Sequence, residues 1–116
     1  MLTSTTPGRE DWRPFHCDVE AEHGYVRVTP RGELDLASTP EMARRLRELR
    51  ESGFDRFVFD LRELAFMDSS GLRLVMHEQA ESEADGGTFE LIPGGPAVQR
   101  IFEVACVLDQ LRFVSA

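Results

Sequence analysis

Residues 59–72 read Phe59-Asp60-Leu61-Arg62-Glu63-Leu64-Ala65-Phe66-Met67-Asp68-Ser69-Ser70-Gly71-Leu72. An apolar pattern typical of a strand ends here in Asp-Ser-Ser-Gly, and an amphipathic helical pattern begins at once. One carboxylate and two hydroxyls are therefore expected together at a helix N-terminus. Unpaired backbone N–H groups and the positive end of the helix dipole tolerate added negative charge there. A phosphate on Ser69 is thus expected to leave the domain folded and to change the surface that it presents.

Upstream of this segment, the sequence predicts a hairpin followed by a helix. The strands are predicted from Phe15 to Glu20 and from Tyr25 to Pro30, with a glycine-containing turn between them. The helix has two candidate caps, and the pattern does not choose between them. Ser38 fits a capping box with the glutamate three residues later, whereas Thr39 fits a cap that is followed by proline. Gly53 is expected to end this helix.

Downstream, strand and helix patterns continue to alternate. The apolar run Phe57–Leu61 predicts a strand buried on both faces, and a helix is predicted from about Ser70 to Ser82. Thr88–Ile92 is the next predicted strand, a helix follows Pro96, and a last strand is predicted around Leu111–Val114. Right-handed crossovers would place the parallel strands in one sheet covered by helices. The sequence therefore predicts an α/β fold.

Length and charge restrict the classes of partner. The chain has 116 residues, which is enough for one domain with a modest core. Residues 1–13 are polar and aperiodic, so they are expected to form a mobile N-terminal arm before a domain at 14–116. The net charge of −8 opposes binding to nucleic acid or to anionic membrane and favours a protein partner with a basic face. No signal peptide or spanning segment is recognisable, which predicts a cytoplasmic protein without membrane insertion.

No pattern in the sequence indicates a metal site, a cofactor site or a catalytic centre. His16, His23 and His77 lack metal-ligand spacing. The chain has neither a Gly-x-Ser-x-Gly motif nor a P-loop, and all its basic residues are arginine, so a Walker lysine is absent. Cys17 and Cys106 are expected to be free thiols. The chain is therefore expected to act as a ligand of other proteins and not as an enzyme.

Three motifs, in the same order along the chain, resemble those of STAS domains, specifically the bacterial anti-sigma-factor antagonists. The first is Gly32-Glu33-Leu34-Asp35, the second is Phe66-Met67-Asp68-Ser69-Ser70-Gly71-Leu72, and the third is Pro96-Ala97-Val98-Gln99-Arg100-Ile101-Phe102-Glu103-Val104. The resemblance covers roughly residues 15 to 116. It implies a single STAS domain whose mixed sheet has four to five strands and packs with about three to four helices. One departure is Cys106, which stands where the family commonly has a glycine after the third helix.

The resemblance also implies which residues carry function. The phosphate acceptor would be Ser69, and the partner-binding residues would be Glu33, Asp35, Asp68, Ser69, Ser70 and Gly71. From the residues alone, Asp68, Ser69 and Ser70 also fit a helix cap. Asp35 also fits an Asx-type turn or a second cap. Gly71 is expected to let a partner's backbone or a kinase active site approach closely, and a plain glycine in the first helical turn is the alternative.

The function implied by the resemblance is partner exchange. The unphosphorylated chain would bind an anti-sigma factor with serine-kinase activity and so release a sigma factor. Phosphorylation of Ser69 by that kinase would end the binding, and a PP2C-type phosphatase would restore it. Two alternatives stay open: an accessory subunit of a lipid or anion transporter, and a nucleotide-binding STAS module.

Overall fold

The computed structural model describes residues 15–115, so the predicted arm at residues 1–13 lies outside the described residues. Five strands and three α-helices follow in the order β1 (Phe15–Glu22), β2 (Tyr25–Leu34), α1 (Thr39–Glu51), β3 (Arg56–Asp60), β4 (Leu64–Met67), α2 (Ser69–Ala84), β5 (Thr88–Ile92) and α3 (Pro96–Val104), before a short 3-10 turn at Leu108–Gln110. The predicted α/β architecture with a mixed sheet is confirmed.

The sheet is organised around β2, which is longer than the sequence pattern predicted. β1 pairs with β2 in an antiparallel hairpin, and the strand order is β1-β2-β3-β5, with β3 and β5 parallel to β2. The first half of β2 pairs with β3 over Val26–Val28, and its second half pairs with β4 over Gly32–Leu34. The register shifts between Gly32 and Glu33, where Gly32 has a φ of 93° that suits glycine.

The predicted last strand at Leu111–Val114 is wrong. Only an isolated bridge between Leu91 and Phe113 is present there. The reason is that a buried side chain holds part of this segment: the Gln79 amide donates to the Gln110 carbonyl (2.7 Å), and its oxygen accepts from the Arg112 N–H (2.9 Å). A glutamine on α2 thus satisfies backbone groups that a strand would have satisfied with its neighbour.

Alternate residues of the strands form the core. Phe57, Phe59 and Phe89 are fully buried, and the Phe59 and Phe89 ring centroids lie 5.4 Å apart. At the edge of this core Arg50 on α1 binds the buried Glu78 on α2 (2.8 Å), and its guanidinium lies 4.8 Å from the centroid of the Phe57 ring. The pair ties two helices together over the sheet.

The start of α1 and the end of α3 can be compared with the caps expected from the sequence. Ser38 is the N-cap of α1 and a proline lies in the first turn, but the Ser38 side chain makes no cap bond, so the capping box, one of the two alternatives, is not formed. Cys106 has a φ of 59° after α3. Its N–H donates to the Glu103 carbonyl (3.1 Å), while the Val107 N–H donates to the Phe102 carbonyl (3.3 Å). This is a Schellman motif with cysteine in the left-handed position that usually holds glycine.

Candidate functional site

The site residues predicted from the sequence lie at the carboxyl ends of β2 and β4 and in the first turn of α2. Leu34 at the end of β2 pairs with Met67 at the end of β4, and the Asp68 N–H donates to the Leu34 carbonyl (3.2 Å). Asp35 directly follows β2, and Asp68 lies between β4 and α2. The pairing of β2 with β4 therefore brings together two motifs that are far apart in the sequence.

Asp68 is the N-cap of α2. Its Oδ1 accepts hydrogen bonds from the N–H groups of Ser70 (2.8 Å) and Gly71 (3.4 Å), and its carbonyl accepts from the Leu72 N–H (3.1 Å). The expectation that a phosphate on Ser69 would face several unpaired N–H groups is therefore wrong in part, because the Asp68 carboxylate already occupies two of these donors.

Ser69 is exposed and available for modification. It is the first residue of α2, and its hydroxyl has no hydrogen-bond partner within residues 15–115. Ser70 is half-buried beside it. Since Asp68 supplies the cap, the Ser69 hydroxyl is not required for the helix to begin.

Gly71 is buried against the protein itself. A Cβ built on Gly71 would lie 3.1 Å from the Leu34 carbonyl oxygen, and it would overlap the Met67 side chain, 2.4 Å from its Cγ. Gly71 had been expected to allow a partner's backbone to come close. In the structure, the absence of a side chain at Gly71 allows α2 to pack closely on β2 and β4.

Asp35 forms the Asx-type turn that the sequence left open as an alternative. Its Oδ1 accepts from the N–H groups of Ala37 (3.0 Å) and Ser38 (3.1 Å) and from the Ser38 hydroxyl (3.2 Å). The single proton of the Ser38 hydroxyl is shared with the Glu33 carbonyl, which is the closer acceptor (2.7 Å). The Glu33 side chain itself is exposed. One carboxylate oxygen of Asp35 thus shapes the loop.

Two substitutions separate the structural role of Asp35 from the role of its charge. Asp35→Ala removes the acceptor and is expected to lower the free energy of unfolding by about 1–2 kcal/mol, as loss of a cap does. Asp35→Asn keeps an Oδ1 acceptor, so it is expected to change the free energy of unfolding by less than about 0.5 kcal/mol. Urea denaturation of both variants measures this. Equal stability of Asp35→Ala and the unchanged protein would contradict the assigned turn.

An apolar groove lies beside Ser69, and the sequence analysis missed it. The groove has a volume of about 380 Å³ and is lined by Phe66, Ser69, Ala97, Arg100, Ile101 and Val104, together with Met67 and Asp68. Phe66 is 44% exposed and Val104 is 71% exposed, and both are among the large exposed hydrophobic residues of the described chain. The available signal was the position of Val104, which lies outside the buried stripe of α3.

Arg100 is the one cation that lines this groove within the described residues. It is exposed, and within residues 15–115 it forms no ion pair. Arg62, by contrast, binds Asp60 (2.8 Å) and holds the pKa of that carboxyl below its usual value. Arg100 is therefore a free guanidinium beside the exposed serine.

The described residues contain no obvious centre for metal chemistry. Across positions 15–115 no group of three or more His, Cys, Asp or Glu side chains is placed to hold a metal ion. Cys17 and Cys106 are free thiols, and burial raises the pKa of Cys17 to about 11.

Within residues 15–115, no helix has the length and apolar character needed to cross a membrane.

Comparisons with known proteins identify the same fold. The family described as "Mlab, STAS domain" matches residues 17–112. The anti-sigma-B factor antagonist of Bacillus subtilis (strain 168) is 27% identical over 95 residues, which cover 82% of this chain and 86% of that protein.

Solved structures resemble the chain at lower identity. An anti-sigma factor antagonist from Mycobacterium paratuberculosis has a TM-score of 0.75 and 20% identity, with 88% of this chain and 86% of that one covered. The anti-sigma factor antagonist SpoIIAA in its unphosphorylated form has a TM-score of 0.74 and 23% identity, covering 87% and 88%. The Bacillus cell fate determinant SpoIIAA in the phosphorylated form has a TM-score of 0.68 and 23% identity, covering 87% and 91%. At these identities the structures support the fold.

Proposed function

The chain belongs to the STAS domain family, and from this we propose that it is an anti-sigma-factor antagonist whose partner is an anti-sigma factor with serine-kinase activity. The observation that carries the proposal is the exposed, unbonded hydroxyl of Ser69 next to an apolar groove. A kinase can reach such a hydroxyl, and a partner can bury the surface around it. The similarity to the anti-sigma-B factor antagonist supports the same role.

The surface around Ser69 has the composition of a protein-binding site. Phe66 and Val104 flank the groove, and Leu36, in the loop after Asp35, is 74% exposed. Large apolar side chains that remain exposed beside polar ones mark interaction sites. The carboxylates of Glu33 and Asp35 lie at the end of β2, which pairs with the end of β4 just before Ser69. We therefore propose that the partner presents apolar side chains to the groove and basic side chains to these acids.

Phosphorylation of Ser69 would reverse the binding because it adds charge where the partner would exclude water. A phosphoserine adds about −1.5 to −2 charge at neutral pH. An unpaired charge buried in an interface costs several kcal/mol, which corresponds to orders of magnitude in affinity. In the proposed cycle, the unphosphorylated chain displaces the sigma factor from its anti-sigma factor. The kinase then inactivates the chain, and a PP2C-type phosphatase restores it.

Phosphopeptide mapping after incubation with the cognate anti-sigma kinase and ATP tests this proposal. We expect one phosphate per chain, on Ser69, because Ser70 is half-buried and its N–H is bound to Asp68. Ser69→Ala is the control and should take up no phosphate. Modification of Ser70 or Thr39 with Ser69 unmodified would refute the assignment.

An accessory subunit of a lipid or anion transporter is the second candidate, since the same apolar groove suits a helix of a transporter subunit. Affinity purification with mass spectrometry distinguishes the two. A bound kinase supports the antagonist, whereas a bound permease or ATPase supports the accessory subunit.

A further inference from the structure

A phosphate on Ser69 needs a partner that the helix N-terminus cannot fully supply. The Asp68 carboxylate already accepts from the N–H groups of Ser70 and Gly71, and it adds a negative charge next to Ser69. The phosphate and the Asp68 carboxylate would be like charges on adjacent residues and would repel each other. The dipole of α2 offsets only part of that repulsion. The phosphate should therefore bind a free cation that lines the same groove as Ser69.

Arg100 on α3 meets this requirement. It lines the groove together with Ser69 and has no ion-pair partner within residues 15–115, although Glu103 lies one turn further along α3. A guanidinium is always charged, and its planar fork binds two phosphate oxygens at once. Arg73 is the rival candidate, because it lies four residues after Ser69 on α2. It is exposed but does not line the groove.

We infer that Arg100 binds the phosphoryl group on Ser69 and that this pair closes the groove between α2 and α3. The inference rests on the proposed function, because it assumes that Ser69 carries the phosphate. Ser69 and Arg100 both line the groove, together with Phe66, Ile101 and Val104. A bond between the phosphate and Arg100 therefore covers apolar surface that the partner would use. Phosphorylation then acts in two ways, by adding charge and by removing the docking groove.

The test uses the full chain with phosphoserine incorporated at position 69 during translation, so that no kinase is needed. The second pKa of the phosphate, about 6 in an exposed phosphoserine, is measured by 31P NMR titration. A neighbouring guanidinium favours the doubly charged form, so Arg100→Gln should raise this pKa by about half a unit or more. Arg73→Gln is the matched control and should change it much less. Asp68 and Glu103 are present in all variants.

A second measurement follows the groove directly. Phosphorylation should shift the methyl NMR signals of Ile101 and Val104 in the unchanged chain, and this shift should be lost in Arg100→Gln and partly restored in Arg100→Lys. A larger pKa change in Arg73→Gln, or no change in either variant, would overturn the inference. Failure of the kinase to modify Ser69 would instead count against the proposed function and would leave the titration result unaffected.

Discussion

Ser69→Asp is expected to bind the anti-sigma partner at least about 30-fold more weakly than Ser69→Ala, a difference of about 2 kcal/mol or more. The aspartate places a charge beside the apolar groove, and the interface would have to bury that charge without a partner. Alanine keeps nearly the shape of serine and adds no charge. Calorimetric titration of each variant with the purified partner measures the difference.

Both variants are expected to stay folded. The cap of α2 is the Asp68 side chain, and the exposed Ser69 hydroxyl has no bond within residues 15–115, so Ser69→Ala should change the free energy of unfolding by less than about 0.5 kcal/mol. In Ser69→Asp the new carboxylate lies in the first turn of α2, where the helix dipole favours it. Equal affinity of the two folded variants would mean that charge at position 69 is not the switch.

Gly71→Ala is expected to destabilise the domain by about 1–3 kcal/mol, the range for overpacked cores. The added methyl group would overlap the buried Met67 side chain and crowd the Leu34 carbonyl. Urea denaturation measures the loss. Since Met67 directly precedes the Asp68 cap, relief of the overlap should also displace the Ser69 loop and weaken partner binding.

Gly95→Ala is the matched control for this prediction. Gly95 also lies at a helix start, as the N-cap of α3, but its φ is −73° and a Cβ there would meet nothing within 4 Å. The free energy of unfolding of Gly95→Ala should differ from that of the unchanged protein by less than about 0.5 kcal/mol. If both variants were equally stable, the close packing assigned to Gly71 would not limit the fold.

Local patterns were enough to predict most elements and the position of the loop that carries Ser69. The switch from an apolar strand to an amphipathic helix at Asp68 is a local property, and so is the preference of aspartate for a cap. The predicted strand at Leu111–Val114 failed because Gln79, on a distant helix, holds this segment through its side chain. Burial of a glutamine and its choice of partner depend on tertiary structure.

The positions of the acids and serines at this edge of the sheet could be predicted from the sequence, whereas the groove beside them could not. Asp35 follows a strand and Ser69 begins a helix, at positions that sequence motifs mark. The groove forms only when α3 lies beside β4 and the start of α2. The sequence therefore does not indicate that Arg100 lies in the same groove as Ser69. The close packing at Gly71 was not predicted for a related reason, since the atoms that crowd it come from β2 and β4.

The division of β2 between two partner strands has a consequence for the order of folding. The β1–β2 hairpin is closed by a local turn, so it can form early. The pairing of Leu34 with Met67 must first close the long segment that contains α1 and β3, and this costs chain entropy. The loop that carries Ser69 is thus expected to acquire its shape late. A kinase that recognises this shape would modify completed domains and leave nascent chains unmarked.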